Sequence, residues 1–221
     1  NWIRLGRVRV GGRAAAKPGL FVDESASIEL AASERYVSRA GLKLAGAAKA
    51  FNLDFRGKTV LDVGSSTGGF TDFALQHGAK KIYAVDVGTD QLHPSLRDNK
   101  RIELYEKTDI RDFVPSETPD MVVIDVSFIS LRQILPHVAK IVDKNTTIVA
   151  MVKPQFEAQR QQLTRGGVVK NDGVRRAILR EFEQWVCANF IIIDKADSEV
   201  KGAHGNLERF YMLRKAGILS R

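Results

Sequence analysis

The chemistry-bearing stretch of this 221-residue chain is Asp62-Val63-Gly64-Ser65-Ser66-Thr67-Gly68-Gly69-Phe70-Thr71, which follows an apolar run and precedes an amphipathic one. Small residues here let the backbone turn sharply and approach a ligand closely. The spacing excludes two guests. A dinucleotide fingerprint needs G-x-G-x-x-G and a phosphate-cradling loop needs a terminal Gly-Lys-Ser/Thr; GSSTGG supplies neither. Asp62 would also repel pyrophosphate and suits a cationic or amino-bearing ligand better. Asp86, 22 residues beyond Gly64, ends the next apolar run, where a doubly wound nucleotide fold places an acid on ribose hydroxyls. Asp109, after the third run, could meet an adenine amino group, and Asp125 follows the fourth. One such Asp is commonly a helix cap or turn residue. Four in succession read as the ligand-binding edge of an open α/β sheet.

These carboxylates need a frame that brings them together. Strand-like runs occur at residues 59–65, 81–88, 102–109, 121–127, 146–153, 190–200 and 208–215, with helical patterns between many of them, notably 70–77, 131–142 and 172–188. Such alternation predicts a mostly parallel sheet covered on both faces. The last two runs have only the turn region at 202–205 between them, so they are expected to form a hairpin adding an antiparallel strand at the C-terminal edge. Ahead of this body, residues 34–51 place Tyr36, Val37, Ala40, Leu44, Ala47, Ala48 and Phe51 at helical spacing, with Ser33 as the expected N-cap. Arg35, Arg39, Lys43 and Lys49 punctuate that helix. Alternating Val and Arg at 7–10, Gly11-Gly12 and Lys17-Pro18-Gly19 predict a basic hairpin too small to be stable alone. A linker is expected near residues 23–33. The chain opens at Asn1-Trp2 without an initiator Met, so preceding residues are expected.

Composition narrows the classes. The chain carries 34 Lys and Arg against 26 Asp and Glu, a net charge of +8, and a surplus of 6 falls within the first 58 residues. A basic segment on a nearly balanced body favours a phosphate-backbone partner, although a solvated surface carries similar surpluses. The single Cys187 excludes an internal disulfide and a thiolate-rich zinc site. His77, His93, His137 and His204 lie too far apart for an obvious metal box, so no metal is expected. No apolar run approaches the roughly 18–20 residues of a membrane span, and no leader pattern precedes the body. A cytoplasmic protein without a membrane partner is the expectation.

In its context, the loop resembles a known family. DVGSSTGGFTD, with VDVG, TDIRD, IDVSFIS and MVKPQFE downstream, closely resembles the TlyA-type (haemolysin A) ribosomal-RNA 2′-O-ribose methyltransferases of the FtsJ-like group. The resemblance covers nearly the whole chain, from the basic hairpin to NLERF. It implies a Rossmann-like S-adenosyl-L-methionine-dependent α/β fold with a mostly parallel seven-stranded sheet. It further implies a partial alpha-L RNA-binding domain and linker over 1–30, and a methyltransferase domain over 31–221. The implied cofactor contacts are Asp62, Gly64, Ser65, Ser66, Gly68, Gly69, Phe70, Asp86, Val87, Asp109, Ile110 and Asp125. The family's Lys-Asp-Lys-Glu set falls on Lys43 in SRAGLKL, Asp125 in IDVSF, Lys153 in MVKPQFE and Glu208 in GNLERF.

On that resemblance Lys153 is the base or alkoxide-stabilising group. Asp125 orients its ammonium or partly serves the cofactor, and Lys43 and Glu208 position the ribose. The chemistry is coherent, because a ribose hydroxyl is a weak acid whose attack on a sulfonium methyl needs a base or a positive field. A lysine can be that base only if desolvation or a second ammonium lowers its pKa, so Lys43 and Lys153 are expected to perturb one another. Phe128 is expected to close over the cofactor, and Phe156 and Glu157 to serve the substrate side or the packing. Arg160, Arg165, Lys170, Arg175 and Arg176, around Gly166-Gly167, read as a mobile basic loop near the site. The implied partner is ribosomal RNA or a ribosomal subunit, with cytidine as the target. Three other readings compete: a non-catalytic RNA-binding or ribosome-assembly protein, a pore-forming haemolysin, and a nicotinamide oxidoreductase, the last disfavoured by the loop.

Overall fold

The computed structural model describes residues 3, 8–15, 17, 19–30, 35–202 and 205–217. Arg4, Arg7, Pro18, the expected cap Ser33 and His204 lie outside them. The chain forms two compact units, Asn1–Arg35 and Tyr36–Arg221.

In the first unit, β1 (Val8–Val10) pairs antiparallel with β2 (Arg13–Ala14) across the Gly11-Gly12 turn. A third strand, β3 (Ile28–Leu30), pairs antiparallel with the other edge of β1. The segment expected as a linker therefore contributes a strand, and the hairpin is a three-stranded sheet of order β2-β1-β3. A three-residue strand with only two apolar positions carries too little periodicity to be read in sequence.

The second unit begins with α1 (Arg39–Ala50), which starts later than expected: its N-cap is Ser38 in an extended conformation. Then follow β4 (Thr59–Val63), α2 (Gly69–Gln76), β5 (Lys81–Val85), α3 (Pro94–Arg97), β6 (Ile102–Tyr105), β7 (Met121–Ile124) and α4 (Leu131–Ile141). The chain continues through β8 (Thr147–Val152), α5 (Pro154–Glu157), α6 (Asp172–Val186), β9 (Phe190–Asp197) and β10 (Arg209–Lys215). The seven-stranded sheet has the order β6-β5-β4-β7-β8-β10-β9. β4 to β8 are parallel, and β10 runs antiparallel to both β8 and β9.

The hairpin is present, but its antiparallel strand lies one place inside the edge. β10 offers buried apolar side chains to both faces, with Phe210 in one core and Tyr211 and Leu213 in the other. β9 leaves Ile191 and Ile193 exposed beside Asp194 and Lys195, the composition of an edge. Alternation along the strands splits the core in the same way. Leu61 and Val63 face the core that contains Leu135 and Val138 of α4 and Leu179 and Phe182 of α6, whereas Val60 faces Leu44 of α1 and Phe70 and Phe73 of α2. The chain passes from β6 back across to β7 beside β4, so strand order reverses between β4 and β7. Ligands of open α/β sheets bind outside the carboxyl ends of the strands at such a reversal.

Candidate active site

At that reversal lies a cleft of about 350 Å³ formed by the loops after β4, β5, β6 and β7. Val63, Gly64, Ser66, Asp86, Val87, Asp109, Ile110 and Asp125 line it, together with Gln91, Ser127 and Phe128. A smaller pocket of about 130 Å³ adjoins it, sharing Gly64, Ser66, Asp125 and Ser127 and adding Ser65, Gly69, Phe70, Ala40 and Lys153. Gly68 is the left-handed N-cap of α2 and lines neither space.

The loop conformation explains its small residues. Gly64 has φ +80°, and a Cβ there would stand 2.7 Å from the Asp125 carbonyl oxygen, so any side chain would collide with the loop after β7. Ser66 also takes a positive φ. Its backbone N–H donates to Asp86 Oδ2 at 2.8 Å, while Gly88 N–H donates to Asp86 Oδ1 at 2.7 Å. Asp86 thus ties the two loops into one rim.

That rim is braced by a residue without a sequence signal. Glu106 accepts from the backbone N–H groups of Asp90, Gln91 and Leu92 and pairs with Arg97 at 3.2 Å. Asp109 stands at the cleft, but both its oxygens accept from Arg111, which holds its carboxyl below the ordinary range.

Asp62 is placed differently from the sequence expectation. It lies on the same strand face as Val60, beneath α2, is 0% exposed and lines neither space. Its Oδ2 accepts from Thr71 Oγ1 at 2.6 Å, and its Oδ1 has no protein partner. Its role is to hold α2 under the loop. Burial pushes its carboxyl up to about 7 against the pull of the Thr71 hydrogen bond, with the Asp125 charge adding to the rise. Between about pH 4 and 7 the folded chain therefore keeps a proton that the unfolded chain has lost. Stability falls as pH rises through that interval and levels off above it, by an amount on the order of a few kcal/mol. Asp62→Asn can still accept from Thr71 without ionising. Its melting temperature, followed by calorimetry from about pH 5 to 8, should decline less than that of the parent, with the gain largest at pH 8. Parallel curves would contradict this account of Asp62.

The charged side chains form two ion pairs. Lys153, the residue after β8, places Nζ 2.6 Å from Asp125 Oδ1 and donates to Ser127 Oγ at 2.8 Å. Lys43 of α1 places Nζ 2.5 Å from Glu208 Oε2, across 165 positions of sequence. The register joins the two pairs: Arg209 is opposite Val152, so the next antiparallel positions are Glu208 and Lys153. Each of the two ammonium groups has its own carboxylate. Glu208 is 2% exposed, and its Oε1 is packed against Gly202, where an added Cβ would force the carboxylate to shift.

Other expected site residues are redistributed. Arg175 is buried rather than part of a basic loop: it donates to Leu207 O and pairs with Asp197 at 2.5 Å, holding the approach to Glu208. Arg176 pairs with Asp172 on its own helix. Arg160, Arg165 and Lys170 are exposed, yet the loop they flank is pinned. Leu163 bridges Val169, and the Asn206 side chain bonds Val169 N–H and the Gly167 carbonyl. Phe128 is 91% exposed at the cleft rim with φ +67°, its ring 5.3 Å from that of Phe156. Glu157 accepts from Ser130 Oγ and Leu131 N–H and so fixes the loop after β7 to α5.

The donor set decides which guest the cleft suits. Asp86, Asp109 and Asp125 line it, and no Lys or Arg does among the described residues, so a phosphate-bearing ligand is disfavoured. The close approach at Gly64 and the Asp86 carboxylate fit a nucleoside, and the negative lining fits a sulfonium. Ser65 Oγ is buried without a protein partner in the small pocket, where a polar ligand group would complete it. No group of three or more His, Cys, Asp or Glu among the described residues could hold a metal ion.

With this strand order and this cleft, the protein takes its place among the S-adenosylmethionine-dependent methyltransferases. Within that class the chain belongs to the FtsJ-like methyltransferase family, which it matches over residues 36–215. It is 39% identical over 211 residues to Hemolysin A of Brachyspira hyodysenteriae, covering 93% of this chain and 88% of that one. It is 38% identical over 218 residues to the 16S/23S rRNA (cytidine-2′-O)-methyltransferase TlyA of Mycobacterium tuberculosis, covering 96% of this chain and 81% of that one. A solved structure from Streptococcus thermophilus superposes with a TM-score of 0.84 at 40% identity, covering 97% of this chain and 80% of that one. No helix among the described residues is long and apolar enough to cross a membrane.

Proposed function

We propose that this protein methylates a ribose 2′-hydroxyl of ribosomal RNA, with a cytidine as the target, using S-adenosylmethionine. The observation that carries the reading is the Lys153–Asp125 pair standing where the anion-lined cleft meets the small pocket. The similarity to an rRNA (cytidine-2′-O)-methyltransferase supports the choice of substrate.

Asp86 would hold the nucleoside ribose, the Gly64–Ser66 turn its methionine end, and Ile110 and Asp109 the base. When bound, the cofactor supplies an electrophilic methyl on a cationic sulfur. The chain's own work is on the acceptor. Lys153 takes the hydroxyl proton at Nζ or holds an N–H on the emerging alkoxide. Asp125 fixes that nitrogen, and the Lys43–Glu208 pair, next in register, positions the ribose. In the N-terminal unit, proposed as part of an RNA-binding domain, Arg9, Arg13 and Lys17 are exposed cations suited to a phosphate backbone. A ribosomal substrate would place the protein in the cytoplasm.

The direct test is transfer of labelled methyl groups from S-adenosylmethionine to isolated small and large ribosomal subunits, followed by mapping of 2′-O-methyl ribose. Label on a cytidine ribose is expected. Cofactor binding with no transfer to any RNA would favour a non-catalytic RNA-binding protein instead.

A further inference from the structure

We propose that Ser127 is a positioning residue for the reaction: its hydroxyl takes an N–H of Lys153 and so holds Nζ where it can reach the ribose oxygen. The inference rests on the reading of Lys153 given above. An ammonium has three donors. One is donated to Ser127 Oγ at 2.8 Å, while the Asp125 carboxylate stands beside Nζ as its counter-charge, with Oδ1 2.6 Å away. A counter-charge and a hydrogen-bond acceptor two residues apart on the strand exit thus hold Nζ from two positions, and the rest of its hydrogen-bonding capacity stays free for the ribose oxygen.

Serine has a property there that a second carboxylate would lack: it accepts from Nζ without adding a second negative charge, and it does so whether the nitrogen is an ammonium or a free amine. A free amine keeps two N–H bonds and one lone pair, so Ser127 Oγ can go on accepting from one N–H while the lone pair takes the proton of the ribose hydroxyl. The ribose O–H bond breaks as the new N–H bond forms, and Ser127 neither gains nor loses a proton. Its location suits the task, since it borders both the cleft and the small pocket. The backbone that carries it is fixed a few residues on, where Glu157 accepts from Ser130 Oγ at 2.6 Å and Leu131 N–H at 2.7 Å.

Ser127 is exposed, so its removal should leave the fold intact. The test compares the parent with Ser127→Ala and Ser127→Thr in two measurements. In lysine-labelled protein, heteronuclear NMR should show the Lys153 ammonium hydrogens protected from solvent exchange in the parent and in Ser127→Thr. In Ser127→Ala they should exchange like those of an exposed lysine. Single-turnover methyl transfer in Ser127→Ala should fall about 10- to 100-fold, as misplacement of one reacting group does. Because Ser127 borders the cleft, the variant's affinity for S-adenosylmethionine by calorimetry should change by much less than the rate does, and threonine should restore most of the rate. Unchanged ammonium protection in folded Ser127→Ala would overturn the proposal whether or not the chain methylates RNA. So would lost protection with an undiminished rate. A parent protein that binds cofactor but methylates no RNA would instead overturn the proposed function, and the exchange measurement would still decide the role of Ser127.

Discussion

Lys153→Met is expected to lower single-turnover methyl transfer to ribosomal RNA by about 10³-fold, within the range attributed to positioned acid–base groups. The fold and the affinity for S-adenosylmethionine should survive. Lys153 stands in the small pocket beside Asp125, not in the larger cleft. Its partner keeps 15% of its side chain exposed, and although the Oδ1 facing Lys153 is buried, removing the ammonium opens it to the small pocket, where water can solvate the carboxylate left behind. The informative result is a split: rate lost, cofactor binding by calorimetry retained to within about threefold. Lys153→Arg should rescue little, because a guanidinium holds its charge but does not act as a base and does not fit a site shaped for one nitrogen. Activity undiminished in Lys153→Met would remove the lysine from the mechanism.

Lys43→Met should be felt first in stability. Its partner Glu208 is 2% exposed, with its other oxygen packed on Gly202, so the variant leaves a carboxylate buried without a counter-charge. Breaking such a pair from one side costs about 3–5 kcal/mol. In a chain of this size that lowers the melting temperature on the order of 10 °C. The double variant Lys43→Met, Glu208→Gln, which has no buried charge, should regain most of the loss in thermal denaturation and remain inactive in methyl transfer. That combination would show that the pair is retained for the reaction and not for stability. A Lys43→Met melting temperature equal to the parent's would mean that Glu208 is solvated, contrary to the geometry described above.

Parts of this architecture are legible in one dimension because their physics is local. Apolar alternation marks the strands, helical spacing marks α1, α4 and α6, and the run of small residues after β4 marks the turn where a ligand can approach. The four aspartates at successive strand ends are visible for the same reason, and Asp86, Asp109 and Asp125 do meet at one cleft. Asp62 belongs to the same pattern in sequence but not in space. Alternation states that Asp62 and Val63 point to opposite faces without saying which face the cleft is on. Packing of α2 against the Val60 face settles it and encloses the acid.

By itself, then, the sequence determined which segments are strands and helices, where the nucleotide loop lies and which residues carry charge near it. Those properties follow from backbone sterics and from the periodicity with which side chains meet water. Tertiary structure alone decided the partners. Insertion of β10 between β8 and β9 puts Glu208 next to Lys153 in register and, from far along the chain, against Lys43. Tertiary packing also makes Arg175 a buried brace instead of a surface cation, and the parallel pairing of β7 with β8 brings Ser127 to Lys153. Such pairings depend on strand order and register, which are chosen by the packing of both sheet faces at once, and no local stretch of residues encodes them.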